Sequence, residues 1–198
     1  MKGIMGMFEA ITKWDLSIID WIYENLRNPV CDVFFSLITR LGDAGIFWIA
    51  LAVLFLFIKK YRKVGIAMAV ALIIGLIIGN GIVKNVVGRQ RPYEKYDEIH
   101  GTTDARDTLV GPQSDKSFPS GHTQASFAAA TVILIMLKKK GIAPMILAGL
   151  IAFSRLYLYV HYPTDIFGGI IFGVTWAFIA VWLVNFAEAK WIKKEETV

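Results

Sequence analysis

Three long stretches without a charged residue constrain this chain of 198 residues more than any other feature: residues 64–83, 117–137 and 166–187. An α-helix of about 20 predominantly apolar residues crosses the hydrocarbon core of a bilayer. Hydrophobic residues make up 56 % of the chain and charged residues only 19 %. A water-soluble globule could not cover so much apolar surface, and a disordered chain would show the opposite composition. The sequence therefore predicts an integral membrane protein.

Three weaker apolar segments complete a predicted bundle of six transmembrane helices over residues 28–187. Residues 44–58 and 141–154 are short for a span, and the second continues to residue 160 if Arg155 faces protein instead of lipid. Residues 28–39 contain Asp32 and are expected to form a short first helix. The predicted fold class is an all-α membrane bundle of six helices that forms a single domain.

Residues 1–27 are predicted to form an amphipathic helix ahead of the bundle. Its apolar residues recur at steps of three and four and so share one face: Phe8, Ile11, Trp14, Ile18, Ile22 and Leu26. Such a helix lies in the headgroup plane of a membrane. Packing of the same segment against the bundle is an equally favoured alternative.

The placement of lysine and arginine orients the predicted bundle. Alternating spans put the N-terminus, the loops at 59–63 and 138–140 and the tail at 188–198 on one side, with 13 of the 21 basic residues. Short cytoplasmic segments carry such an excess, so this side is predicted to be cytoplasmic. The loop at 93–116 is then extracytoplasmic, and we expect it to cover the site entrance. The outer side receives Arg40 and seven more basic residues, and these seven indicate a functional need for positive charge there.

Three short motifs fall at the outer ends of predicted spans. They are KNVVGRQRP at 84–92, FPSGH at 118–122 and SRLYLYVHYPTD at 154–165. Although they are far apart in sequence, the predicted topology places them at one depth. We therefore expect them to form one site.

The first chemistry that these motifs offer is anion binding. Lys84, Arg91 and Arg155 are cations, and the planar guanidinium suits a tetrahedral oxyanion. Ser120 and Gly121 stand where a helix should begin, and the free N–H groups of a helix N-terminus favour a phosphate. Each feature alone also has a structural reading: a lysine that reaches to the interface, or a simple helix cap.

The second chemistry is phosphoryl transfer. His122 falls in the first turn of a predicted helix, close to the expected anion. Asp165 follows His161 by four residues, so its carboxylate can accept a hydrogen bond from one ring nitrogen and leave the other free to attack. A single histidine more often has a structural role. The functional interpretation rests on three cations, two histidines and one carboxylate at one level.

The three motifs together resemble the signature of the type 2 phosphatidic acid phosphatase family. That signature has Lys, six residues and Arg-Pro; then Pro-Ser-Gly-His; then Ser-Arg, five residues, His, three residues and Asp, and every position matches here. The resemblance implies a metal-independent lipid phosphatase with a phosphohistidine intermediate. It assigns His161 as nucleophile, Asp165 as its orienting partner and His122 as general acid. The phosphoryl ligands that it implies are Lys84, Arg91, Ser120, Gly121 and Arg155.

The resemblance also sets the expected substrates and partners. Small chains of this kind resemble bacterial members, so undecaprenyl diphosphate and phosphatidylglycerophosphate are the first expectations, with phosphatidic acid and diacylglycerol diphosphate as alternatives. A non-catalytic lipid-phosphate carrier is the rival from another class. No cofactor, no metal site, no nucleic-acid partner and no obligate protein partner are expected. The expected location is the cytoplasmic membrane, with the active site outside and both termini inside.

Overall fold

A computed structural model describes residues 2–103 and 106–195 and the side chains of residues 9–103 and 106–190. Within these residues the protein is helical and contains no strand. The helices are α1 (Lys2–Leu26), α2 (Pro29–Arg40), α3 (Ile46–Phe57), α4 (Arg62–Ile74), α5 (Lys84–Val87), α6 (Pro92–His100), α7 (Gly121–Leu137), α8 (Ile142–Tyr157) and α9 (Pro163–Glu195). The all-α class predicted from the sequence is confirmed.

All six predicted spans are helical, but they differ in their capacity to cross a membrane. Lys59–His100 and Pro163–Lys190 are long and apolar enough, and the pair α2–α3, bent by 41°, adds a third if it acts as one span. By contrast, α7 and α8 have only 17 and 16 residues. The described residues therefore support two or three spans by length and composition, and the number six stays a prediction.

Helix α7 lies at the centre of the bundle and contacts α4, α8 and α9. A π-helical segment, Gly75–Val83, continues α4 and approaches α7 closely. A Cβ atom on Gly79 would lie 2.0 Å from Oε1 of Gln124, and one on Gly173 would lie 2.5 Å from its carbonyl oxygen. The missing side chains of these glycines therefore permit the close packing that fixes the start of α7.

Helix α1 packs against the connection between α8 and α9. Leu16 and Ile19 are buried with Tyr159 and Tyr162 in one apolar cluster. Of the predicted apolar face, Ile22 is buried against the bundle, whereas Ile11 and Trp14 are exposed on its outer surface. The predicted face also includes Phe8, whose side chain lies outside the described residues. The interfacial position of residues 1–27 stays a prediction.

The predicted outer loop at 93–116 is not entirely irregular, because α6 occupies its first part. Pro92 starts this helix, and the carboxylate of Glu94 accepts a hydrogen bond from the backbone N–H of Arg91, at 2.8 Å. Proline at a first helical position and a glutamate in the first turn are both typical of a helix start. The high polarity of this segment had concealed a helix that begins directly after the first motif.

Candidate active site

The three motifs meet around one cavity of about 450 Å³ at the end of the bundle where α7 begins. Six of the eight predicted site residues line it: Lys84, Arg91, Gly121, His122, Arg155 and His161. The other two, Ser120 and Asp165, are buried behind its wall. The structure thus brings together residues that are up to 77 positions apart in sequence.

The hydrogen bonds of His161 define its protonated nitrogen. Nη1 of Arg91 lies 3.0 Å from Nε2 of His161, and a guanidinium can only donate, so Nε2 carries the lone pair. Nδ1 then carries the hydrogen and faces Oδ2 of Asp165 at 3.3 Å. Burial of the ring and the positive charge of Arg91 hold the pKa of His161 well below its ordinary value. The ring is therefore neutral, with its lone pair on the side of the cations.

Three buried cations line the same cavity as this ring. Lys84, Arg91 and Arg155 are each at most 5 % exposed. Arg155 donates from Nη1 to Oγ1 of Thr39 at 2.6 Å and from Nη2 to Oε1 of Gln113 at 3.3 Å, but its buried Nε has no partner. Buried charges are costly unless they are paired. Such a group of cations with a spare donor is therefore suited to a multiply charged anion.

A carboxylate from the outer loop partly neutralises these cations. Asp115 accepts hydrogen bonds from Nζ of Lys84 and from Nη2 of Arg91, and its carbonyl oxygen accepts a third from Nε of Arg91 at 3.0 Å. Burial alone would raise the pKa of Asp115, but Lys84 and Arg91 lower it from 3.8 to about 2. The sequence predicted that the loop at 93–116 covers the site entrance, but it gave no role to this aspartate.

The start of α7 differs from its prediction in one respect. Gly121 lies beside Asn80 at the cavity wall, where an added Cβ would be 3.1 Å from Oδ1 of Asn80. Ser120, in contrast, uses its hydroxyl to cap the helix and accepts hydrogen bonds from the N–H and the hydroxyl of Thr123. The structural reading of Ser120 as a cap is therefore correct for this conformation, and its contact with a phosphate stays a prediction.

His122 has a carboxylate partner that the motifs did not indicate. Its Nε2 donates to Oδ1 of Asp43 at 2.9 Å. Asp43 precedes two residues with positive φ, Ala44 and Gly45, in the sharp connection between α2 and α3. This connection lies far from the motifs in sequence, so only the fold places Asp43 next to His122.

Asp165 is held from four directions behind His161. Besides the ring, it accepts hydrogen bonds from the hydroxyl of Ser117, from the N–H of Tyr162 at 2.9 Å and from Nη1 of Arg89 at 2.8 Å. Arg89 belongs to the first motif but is no part of the signature. In the sequence, Arg89 stood out only as one of the basic residues that the predicted topology places on the outer side.

Comparisons with known proteins give this arrangement a family. A family model described as the PAP2 superfamily matches residues 60–189. An undecaprenyl-diphosphatase of Sulfolobus acidocaldarius is 30 % identical over 149 residues, which cover 74 % of this chain and 68 % of that protein. The crystal structure of Aquifex aeolicus LpxE has a TM-score of 0.69 at 28 % identity, covering 84 % of this chain and 93 % of that one.

A second solved structure leads to the same family. A transmembrane PAP2-type phosphatidylglycerolphosphate phosphatase from Bacillus subtilis has a TM-score of 0.68 at 26 % identity, covering 91 % of this chain and 87 % of that one. The family model spans well over half of the present chain and includes all three motifs. This protein therefore belongs to the PAP2 superfamily.

Proposed function

We propose that this chain, a membrane lipid phosphatase of the PAP2 superfamily, hydrolyses the terminal phosphate of a lipid diphosphate or phosphomonoester through a phosphohistidine at His161. The observation that carries the proposal is the hydrogen bond from Arg91 to Nε2 of His161, at 3.0 Å. It leaves a buried lone pair directed at a group of cations, which is what attack on a bound phosphoryl group requires.

The first step forms the bond between Nε2 and phosphorus and breaks the bond between phosphorus and the leaving oxygen. Lys84, Arg91 and Arg155 compensate the charge on the equatorial oxygens. His122 gives its proton to the leaving oxygen, and Asp43 orients that ring through the 2.9 Å hydrogen bond. The ring of His161 becomes positively charged, and Asp165 stabilises it from the side of Nδ1.

The second step restores the enzyme. Water attacks phosphorus and gives one proton to His122, a new oxygen–phosphorus bond forms, and the bond to Nε2 breaks. Inorganic phosphate leaves, and His161 and His122 return to their starting protonation states. These two steps place no demand on a metal ion, and no group of three His, Cys, Asp or Glu residues within the described ranges could hold one.

The shape of the cavity supports a lipid substrate. Its charged end continues into an apolar channel between α3 on one side and α4 with its π-helical continuation on the other. The channel is lined by Ile49, Val53, Leu56, Leu72, Ile73 and Leu76. Val53, Ile73 and Leu76 are between 45 and 63 % exposed on the outer surface of the bundle. An amphiphile with a phosphate head and a hydrocarbon tail matches this division. We propose that the tail enters sideways from the bilayer, and that a polyprenyl diphosphate or phosphatidylglycerophosphate is the substrate.

The same proposal includes a topology. Six spans, with both termini and most lysines in the cytoplasm, place the cavity at the extracytoplasmic face of the cytoplasmic membrane. A protease-cleavable tag inserted after Gly111, in the outer loop, should be cut from outside intact cells. The same tag after Lys139 should be protected, and the opposite pattern would reverse the orientation.

The central experiment is phosphate release by the purified protein in detergent with excess chelator. Undecaprenyl diphosphate, phosphatidylglycerophosphate and phosphatidic acid are assayed side by side. We expect release that is insensitive to chelator and is abolished in His161→Ala. His100→Ala is the matched control, because His100 lies exposed on α6, where it faces the carbonyl oxygen of Tyr96 and stacks on the Tyr96 ring, away from the cavity lining. Undiminished release by His161→Ala would reject the nucleophile.

A further inference from the structure

A buried carboxylate of the N-terminal helix is connected to the site through one arginine. Nη2 of Arg89 donates to Oδ2 of Asp15 at 2.6 Å, while its Nη1 donates to Oδ1 of Asp165 at 2.8 Å. Both carboxylates are 0 % exposed. Asp15 stands four residues after Ile11 and three before Ile18, on the predicted apolar face of α1, so a buried carboxylate there requires a charged partner.

Thr164 links Asp15 to helix α9. Its N–H donates to Oδ1 of Asp15 at 3.0 Å, and its hydroxyl donates to Oδ2 of the same carboxylate. The guanidinium of Arg89 lies 3.7 Å from the centre of the Tyr162 ring, which restricts its movement further. Asp15 therefore binds both Arg89 and the first turn of α9, in which Asp165 is the third residue.

The charge balance explains why a second carboxylate is needed. A single arginine paired with Asp165 alone would cancel the charge of that carboxylate, and the ring of His161 becomes cationic when its Nε2 is phosphorylated. With Asp15 present, Asp15, Arg89 and Asp165 together carry one net negative charge. In a buried site such a charge acts with little screening by solvent. The second carboxylate, Asp15, thus preserves the negative charge that the phosphorylated ring needs.

We propose that Asp15 and Arg89 are positioning residues, which hold the Asp165 carboxylate and keep a net negative charge behind the His161 ring. The inference rests on the proposed function, because it needs His161 as the group that becomes charged. Neither residue lines the cavity, so neither is expected to contact the substrate phosphate. Helix α1 thereby becomes part of the site, although it contributes no residue to the family signature.

The test separates turnover from binding in two matched variants of α1. Asp15→Asn removes the charge but keeps the shape, and Asp20→Asn makes the same change five residues later. Asp20 also pairs with an arginine of the outer segment, Arg106 at 3.1 Å, and accepts from the hydroxyl of Tyr159 at 2.6 Å, but it does not contact Asp165. We expect kcat of Asp15→Asn to fall at least about tenfold.

The other readouts exclude a merely structural effect. KM and the inhibition constant of inorganic phosphate should change less than about twofold in Asp15→Asn, because the loss occurs only as charge develops. Asp20→Asn should keep kcat within twofold of the parent at a comparable loss of melting temperature. Equal kcat values for the two variants, or a tenfold change of KM alone, would overturn the proposal.

A milder variant decides the matter if Asp15→Asn does not fold. Thr164→Val removes one hydroxyl from the same connection with little change of volume, and we expect kcat to fall about threefold with KM unchanged. A folded Thr164→Val with parental kcat would overturn the proposal. His161→Ala separates a failure of the proposed function from a failure of this inference. If His161→Ala is active, the proposed function is wrong. If His161→Ala is inactive and Asp15→Asn is fully active, only the inference about Asp15 is wrong.

Discussion

The Asp115 carboxylate lies between Lys84 and Arg91, the two cations that we propose bind the substrate phosphate. Both cations donate hydrogen bonds to it. We therefore expect Asp115 to compete with phosphate for these two side chains. The perturbation that tests this competition is Asp115→Asn, which removes the charge and retains the size of the side chain.

The structure sets the size of the effect. The fall of the pKa of Asp115 from 3.8 to about 2 corresponds to ~2.4 kcal/mol of interaction with the surrounding cations. Because this side chain is 53 % exposed, solvent screening reduces the available energy, and we expect about 1 kcal/mol. That energy corresponds to about a fivefold stronger binding of phosphate by Asp115→Asn. Since the pKa lies near 2, the carboxylate is ionised throughout the ordinary assay range, and the competition persists from pH 5 to 8.

The assay is competitive inhibition of lipid hydrolysis by inorganic phosphate in detergent. Asp115→Asn should lower the inhibition constant about fivefold and also lower KM. Asp107→Asn is the matched control, because Asp107 lies in the same segment and pairs with Arg27 at 3.8 Å, away from the cavity. An inhibition constant that is unchanged or higher in Asp115→Asn would show that its carboxylate is no competitor, and the argument would fail.

Three other predictions concern the ring, the channel and the packing. The pKa of His161 is well below its unfolded value of 6.5, so stability should be highest above pH 6.5 and should decrease as the pH falls below that value. His161→Phe should flatten this pH dependence of the melting temperature, whereas His100→Phe should leave it unchanged. Leu76→Trp should raise KM for a long-chain lipid but not for a short-chain phosphate ester, and equal effects would remove the channel from the proposal. Gly79→Ala should cost about 1–3 kcal/mol of stability in thermal unfolding, because its Cβ would overlap the side chain of Gln124 on α7. Gly149→Ala is the control and should cost nothing, because the space around Gly149 is open.

The sequence predicted the cavity residues well because their chemistry is local to short motifs. The spacing from His161 to Asp165 is one helical turn, and the structure places the two side chains 3.3 Å apart. The helical spans followed from long uncharged runs, and each proved helical. Lys84 and Arg155 were found because charge within or beside an apolar run is expensive and so stands out from its surroundings.

The missed residues share a different property. Asp43, Asp115 and Asp15 are single aspartates outside the three motifs, and each reaches the site only through the packing of another element. No role was assigned to Asp15, because a periodicity of apolar residues does not show that a buried arginine lies opposite a carboxylate on the same face. The same pattern does not reveal that α1 packs on Tyr159 and Tyr162.

The predicted and the missed residues together surround the two nitrogens of the His161 ring with opposite charges. On the side of Nε2 lie the cations Lys84, Arg91 and Arg155, which the motifs predicted. On the side of Nδ1 lie two buried carboxylates and Arg89, with one net negative charge. A phosphohistidine has the same order of charges, with a negative phosphoryl group on Nε2 and a positive ring behind it. The site is therefore preorganised for the phosphohistidine that we propose, and such preorganisation is where most electrostatic catalysis arises.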